Sequence, residues 1–417
     1  MSTKTPNHPG PPFWPAKGKS PFYPGQPVPV DLFVGRTEQI DHIMQRGVGQ
    51  VALGKPAVMY VQGEYGIGKS SIAGYVQLLA EHLGGLRGIY APLGAAETVD
   101  DVGAAVLQAT LKPGVFDPTR TERIREFLAK YVGEQTLFGG VTIHAEALKK
   151  DAPTIAAGML PFLTEVLNRL KDTGVKGIFL VLDEINGITG NPKFAHFIKS
   201  LVDTNAMSRS PLPLLLMLCG VEERRREMIR HLQPIDRIFD IVDITPMSHA
   251  EMTDFFHRAF HSVQVEVQPE AMDIMVYYSA GFPKIMHLVG DAAFWADQDG
   301  VIDKDDAVRA VLEAADEVGK KYVDQQVYRA LRSKDYHSIL GKIVGAGPDM
   351  TFQQSELAKG LTEGQRKKFD NFLTKMKNLK VLKAGQVRGQ YVFTVRMVAL
   401  YIWLQSSRKS AGPEEAL

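Results

Sequence analysis

Apolar residues along the chain fall into two alternating patterns. Runs of five to eight apolar residues mark buried strands at Ala57 to Val61, Gly88 to Pro92, Ile178 to Leu182 and Leu212 to Cys219, and Ile238 to Ile244 reads as the last strand of the sheet. Between them the spacing switches to that of a helix. Ile72, Val76, Leu79 and Leu83 share one face, and Gly84-Gly85 supply a stop. Residues 98 to 135 and Ala156 to Leu170 carry the same periodicity, as do Phe194, Phe197, Ile198 and Leu201. Phe138 to His144 reads as a short β-like insertion. Strands alternating with helices predict an α/β domain over residues 31–247: a parallel sheet with helices on both faces.

Downstream the pattern changes twice. From Ser248 to Lys334 the periodicity is helical throughout, with its main break at Gly281-Phe282-Pro283, which predicts a helical lid over 248–334. Residues 335–404 then read as three helices (Ser338 to Val344, Ser355 to Leu361, Gln365 to Leu379). Two strands follow, Val381 to Lys383 and Tyr391 to Val395, around Gly385 to Gly389. Three helices and a two-strand wing predict a winged-helix domain, followed by a tail over 405–417. Ahead of everything, residues 1–30 hold nine of the 24 prolines and read as an extended leader, lying against the body near Phe22-Tyr23.

Composition adds bounds. The chain has 417 residues, 45% hydrophobic and 23% charged, as expected of a multidomain globular protein. Cys219 is the only cysteine, so no intrachain disulfide can form. With no signal-peptide pattern and no apolar run of membrane-spanning length, a cytoplasmic protein without a membrane partner is expected. The net charge of +1 hides an asymmetry. Residues 334–417 hold 14 Lys/Arg against 7 Asp/Glu, whereas the rest holds 34 against 40. A basic C-terminal module on an acidic body points to a polyanionic partner.

The chemistry sits where the first strand ends. Gly63-Glu64-Tyr65-Gly66-Ile67-Gly68-Lys69-Ser70 fits G-x-x-x-x-G-K-[ST], a phosphate-binding loop between strand and helix (Walker A). Glycines let backbone N–H groups turn inward around phosphate oxygens, and the helix starting near Lys69, with Ser71 in its first turn, adds its positive dipole end. Lys69 supplies a point charge for the β- and γ-phosphates, and Ser70 a hydroxyl ligand for Mg2+. The strand Ile178 to Leu182 delivers Asp183-Glu184 to its C-terminal end (Walker B). Asp183 is the expected Mg2+ partner and Glu184 the expected base for an attacking water. A small-molecule kinase needs no such base, so the pair favours an ATPase. ATP and Mg2+ are the expected cofactors.

Phe33-Val34-Gly35-Arg36-x-Glu38, the phosphate loop, Leu182-Asp183-Glu184, the strand 214–220 and Gly281-Phe282-Pro283-Lys284 together resemble the AAA+/STAND class of P-loop ATPases, in the archaeal and bacterial branch near the origin-recognition initiators. The resemblance spans roughly residues 20–400. It implies that Gly35 and Arg36 line the adenine pocket, that Arg237 is an arginine finger reaching a neighbouring subunit's nucleotide in a homo-oligomer, and that Lys284 is a second sensor of the γ-phosphate. Arg224, Arg225, Arg226 and Arg230 are rivals for the finger but read better as a solvated helix face. Where the family often places a polar Asn or Thr sensor, this chain has Cys219-Gly220, which implies slow hydrolysis. Lys367, Lys368 and Lys375 on the third C-terminal helix suit DNA phosphates. The other reading is a signalling or defence scaffold, in the manner of STAND proteins, that assembles with a protein partner.

Overall fold

The computed structural model describes residues 18–24, 33–111, 154–344 except 330 and 332, and 351–410 except 380 and 386. Residues 112–135 of the long helical expectation, the 136–145 insertion, most of the Pro-rich leader and the end of the tail lie outside them. The chain divides into two compact units, residues 27–247 and residues 248–417 together with 1–26.

In the first unit, α1 (Thr37–Ile43) runs through a π turn into α2 (Gly49–Ala52), and β1 (Ala57–Gly63) leads to α3 (Lys69–His82). Then follow β2 (Leu86–Pro92), α4 (Val99–Leu111), α5 (Thr154–Leu170), β3 (Gly177–Asp183), α6 (Pro192–Ala206), β4 (Leu214–Gly220), α7 (Glu222–His231) and β5 (Asp240–Ile244). The five strands form one parallel sheet in the order β2-β3-β4-β1-β5. Every residue of β3 and β4 is buried, which explains their unbroken apolar runs: a strand flanked by strands and covered on both faces has no polar side. The expected last strand begins at Asp240 rather than Ile238, because Pro234 and the 3-10 turn Gln233–Ile238 intervene. Helix starts follow side-chain chemistry. Asn191 accepts the Lys193 N–H at 3.0 Å and Pro192 takes the first turn of α6.

The second unit contains α8 (His249–His261), β6 (Glu266–Val267), α9 (Pro269–Ser279), α10 (Pro283–Ala296), β7 (Val301–Ile302) and α11 (Lys304–Val318). The expectation of helix alone is corrected here: β6 and β7 pair as a short parallel ladder, too brief to leave a period-2 signature. A π turn (Gly319–Tyr328) leads to α12 (Lys334–Val344), β8 (Thr351–Gln353), α13 (Gln354–Lys359), α14 (Glu363–Asn378), β9 (Leu382–Ala384), β10 (Gln390–Phe393) and α15 (Arg396–Ser410). Strands β8, β10 and β9 form an antiparallel sheet with β10 in the middle, so a third strand joins the two read from sequence. Phe369, Phe372, Leu373 and Met376 of α14 pack with Ile339, Leu340 and Ile402 in one buried cluster. Phe22 is buried among Phe255, Phe256 and Phe260, with ring centroids 5.9, 6.3 and 4.8 Å away. The Tyr23 N–H donates to Nδ1 of His287 at 3.1 Å.

Candidate nucleotide site

A parallel sheet leaves its crevice at the carboxyl ends of its strands, and the sequence motifs converge there. β1 ends at Gly63, whose backbone passes so close to β5 that a Cβ would lie 2.6 Å from the Ile244 carbonyl oxygen. Gly66 and Gly68 adopt φ of 77° and 98°, conformations that side chains resist, and so turn the loop back over the start of α3. Ile67 is fully buried and pins the loop from beneath, while Glu64 and Tyr65 face outward. Lys69 folds over the loop and donates from Nζ to the carbonyls of Gly63 (3.0 Å) and Glu64 (2.8 Å). Ser70 and Ser71 lie in the first turn, ahead of the first helical bond from the Ile72 N–H to the Gly68 carbonyl. The N–H groups of that turn define the positive end of the helix.

Gly35 and Arg36 both have positive φ, 76° and 63°. Arg36 is 6% exposed, and its guanidinium donates to the Ile67 carbonyl at 3.1 Å and to the Thr245 carbonyl. It ties the segment before α1 to the phosphate loop and to the end of β5. These contacts give Arg36 a structural role.

β3 brings Asp183 and Glu184 to the same crevice. Asp183 is 3% exposed, and both carboxylate oxygens hold a donor: Oδ1 the Glu184 N–H at 2.8 Å, Oδ2 the Tyr90 hydroxyl. The Ser70 side chain lies beside the Tyr90 phenol. Burial first, and the Asp183 carboxylate second, push the Tyr90 phenol far above its ordinary pKa, so it stays a protonated donor. Glu184 is exposed and held at φ 57°. A non-glycine residue in the left-handed region costs about 1 kcal/mol. The carboxylate lies over Gly94, where a Cβ would come within 2.5 Å of Oε2. Tyr90 and Gly94 escaped the sequence reading. The signal for Tyr90 was a polar-tipped aromatic inside an apolar strand; Gly94 offered none.

Beside them, the Cys219 thiol is fully buried. Burial and the nearby Asp183 carboxylate push its pKa well up, against the opposing pull of Lys69, so it is a neutral thiol. The Tyr60 hydroxyl donates to the Val221 carbonyl at 3.1 Å and closes this strand end.

Arg237 is exposed at the opposite end of the sheet, where β1 and β5 begin. There it lines an open cavity of about 580 Å³ with Arg46, Gln50 and Asp240. It is not brought to its own chain's loop. Of the arginines of α7, Arg226 and Arg230 are exposed as the solvated face expected from sequence, whereas Arg224 and Arg225 are drawn into contacts. Arg225 is 13% exposed, bonded to Gln62 at 3.0 Å and paired with Asp236, while Arg224 pairs with Glu227 at 2.9 Å. Lys284 stands in the first turn of α10, in the second unit.

The donor set suits Mg2+. A hydroxyl (Ser70) and a carboxylate (Asp183), both beside Tyr90, are hard oxygen ligands, and two protein ligands leave room for phosphate oxygens and water. Among the described residues there is no cluster of three or more His, Cys, Asp or Glu that would form an all-protein cage.

The parallel order β2-β3-β4-β1-β5, with a glycine loop after β1 and an acidic pair after β3, is the P-loop nucleotide-triphosphatase fold. Two solved structures share it over most of the chain. A Walker-type ATPase of Pyrococcus abyssi superposes with a TM-score of 0.56 at 16% identity, over 89% of this chain and 96% of the other. The Aeropyrum pernix ORC2 protein, in its ADPNP–ADP complexes, superposes with a TM-score of 0.58 at 11% identity, over 94% and 96%. No protein-family model and no curated protein matches the chain.

Proposed function

We propose that this protein is a Mg2+-dependent ATP-hydrolysing switch. The observation that carries the reading is the assembly of Lys69, Ser70, Asp183 and Glu184 around one crevice at the carboxyl end of the sheet. Backbone N–H groups of residues 63–71 receive the phosphates, and Lys69 exchanges its two carbonyl partners for phosphate oxygens. Ser70 and Asp183 hold the cation, which neutralises charge developing on the transferred phosphoryl group. Glu184 orients a water and accepts its proton. Gly35 and Arg36 border the base, and Lys284 of a helical lid (248–334) senses the γ-phosphate. Arg237, remote from its own loop, serves the nucleotide of a neighbouring subunit in a homo-oligomer.

Residues 335–404 are read as a winged helix whose position follows the nucleotide state and whose partner is DNA. The support is α14 with its antiparallel sheet and the basic balance of this region. Isothermal calorimetry and a phosphate-release assay test the core. Heat with ATP or ADP, lost in Lys69→Ala, is the expected result; no heat with the parent chain refutes it.

A second reading, a scaffold that binds a protein partner, draws on two observations. A neutral thiol stands at Cys219, where fast ATPases place a polar sensor. Two lysines of α14 are also paired within the chain, Lys367 with Glu363 at 2.8 Å and Lys368 with Asp335 at 2.5 Å. Titration of double-stranded DNA at two salt concentrations separates the readings, because phosphate contacts weaken steeply with salt.

A further inference from the structure

β2 reads Leu-Arg-Gly-Ile-Tyr-Ala-Pro, and its parallel register with β3 pairs Tyr90 with Val181 and Pro92 with Asp183. Residues two apart on a strand share a face, so Tyr90 lies on the face that carries Asp183 one step further along. Its ring spans that step, and the hydroxyl ends between the Asp183 carboxylate and the Ser70 hydroxyl.

We propose that Tyr90 is a positioning residue for the cation that accompanies the nucleotide, through the hydrogen bond by which it orients the Asp183 carboxylate. The inference rests on the nucleotide reading above. The donor inventory sets the direction. Asp183 only accepts, so Tyr90 gives its single proton to Oδ2. Asp183, held at Oδ1 by the Glu184 N–H and at Oδ2 by Tyr90, has one carboxylate orientation and keeps further lone pairs on both oxygens. A Phe at 90 would fill the same space with no donor for Oδ2. The loss would fall on the orientation of a ligand, not on packing.

The test uses the full chain and Tyr90→Phe, with a fluorescent ATP analogue and a Mg2+ titration, repeated with Mn2+ read by electron paramagnetic resonance. In the variant, the metal concentration for half-saturation should rise ~10-fold, the low end of what loss of a ligand's hydrogen-bond partner costs. Analogue affinity in EDTA and the melting temperature without nucleotide should match the parent. An unchanged or lowered metal requirement overturns the proposal, as does an equal loss of binding in EDTA, which would mark Tyr90 as a packing residue. If the parent binds the analogue with Mg2+ and the variant equals it, only the role of Tyr90 falls. If the parent shows no metal-dependent binding, the nucleotide reading falls and this inference with it.

Discussion

Single side chains carry the chemistry, and two of them make opposite predictions. Lys69→Ala removes the ammonium held over the loop, so ATP binding and hydrolysis should both be lost; calorimetry reads the first and phosphate release the second. Glu184→Gln keeps the shape and the strained backbone at φ 57° but removes the base. ATP should still bind, with turnover reduced ~100-fold or more, and a nucleotide retained after gel filtration would show the trapped state. Both residues were legible in the sequence because their motifs are local: six intervening positions or fewer set the geometry. Tyr90 was not, because its partner Asp183 lies 93 positions away and only strand pairing aligns them. His287 was hidden for the same reason. Burial lowers its pKa to about 4 from the usual 6.5. Its Nε2 is buried with no hydrogen-bond partner among the described residues. The folded state thus takes up this proton at lower pH than the unfolded chain. The neutral ring's contribution is intact above pH 6.5, and stability declines as pH falls from there through 4. Denaturant titrations across that range should show the decline, at up to about 1.4 kcal/mol per pH unit for one proton. His287→Phe should lack that component.

Elements obey their own logic. Strands β3 and β4 were readable because burial on both faces demands unbroken apolar runs, and α14 because Phe369, Phe372, Leu373 and Met376 recur on a single apolar face. The pairing of β6 with β7 was unreadable, since two-residue strands leave no pattern. The leader was read only as an extended segment meeting the body near Phe22. Tertiary contact turned that hexapeptide-scale feature into part of a core. Phe22 is 4% exposed, and a Cβ on Gly290 of α10 would collide with its ring. Phe22→Ala should therefore destabilise the second unit by about 3 kcal/mol, the cost of emptying an aromatic socket, measured by chemical denaturation. On α14, reversing Lys367, Lys368 and Lys375 to Glu should weaken DNA binding and flatten its salt dependence if the basic module meets phosphates.

At the scale of the whole molecule, Arg237 makes the sharpest prediction. It stands at the amino end of the sheet, and the phosphate loop stands at the carboxyl end. Arg237→Ala and Lys69→Ala should each be nearly inactive alone. Mixed in equal amounts they should recover part of the parental ATPase rate, since one chain keeps the loop and the other the arginine. No recovery in the mixture would remove Arg237 from the reaction. By itself, the sequence determined the alternation of strand and helix, the phosphate loop, the acidic pair and the charge imbalance, because each depends on residues close together in the chain. Only the tertiary structure decided which strands are neighbours, that Arg36 ties the loop to Thr245, that Tyr90 holds Asp183, and that Phe22 fills a distant socket. Those contacts join segments from 31 to more than 200 residues apart, and such distances are closed by packing and strand register, which no local pattern encodes.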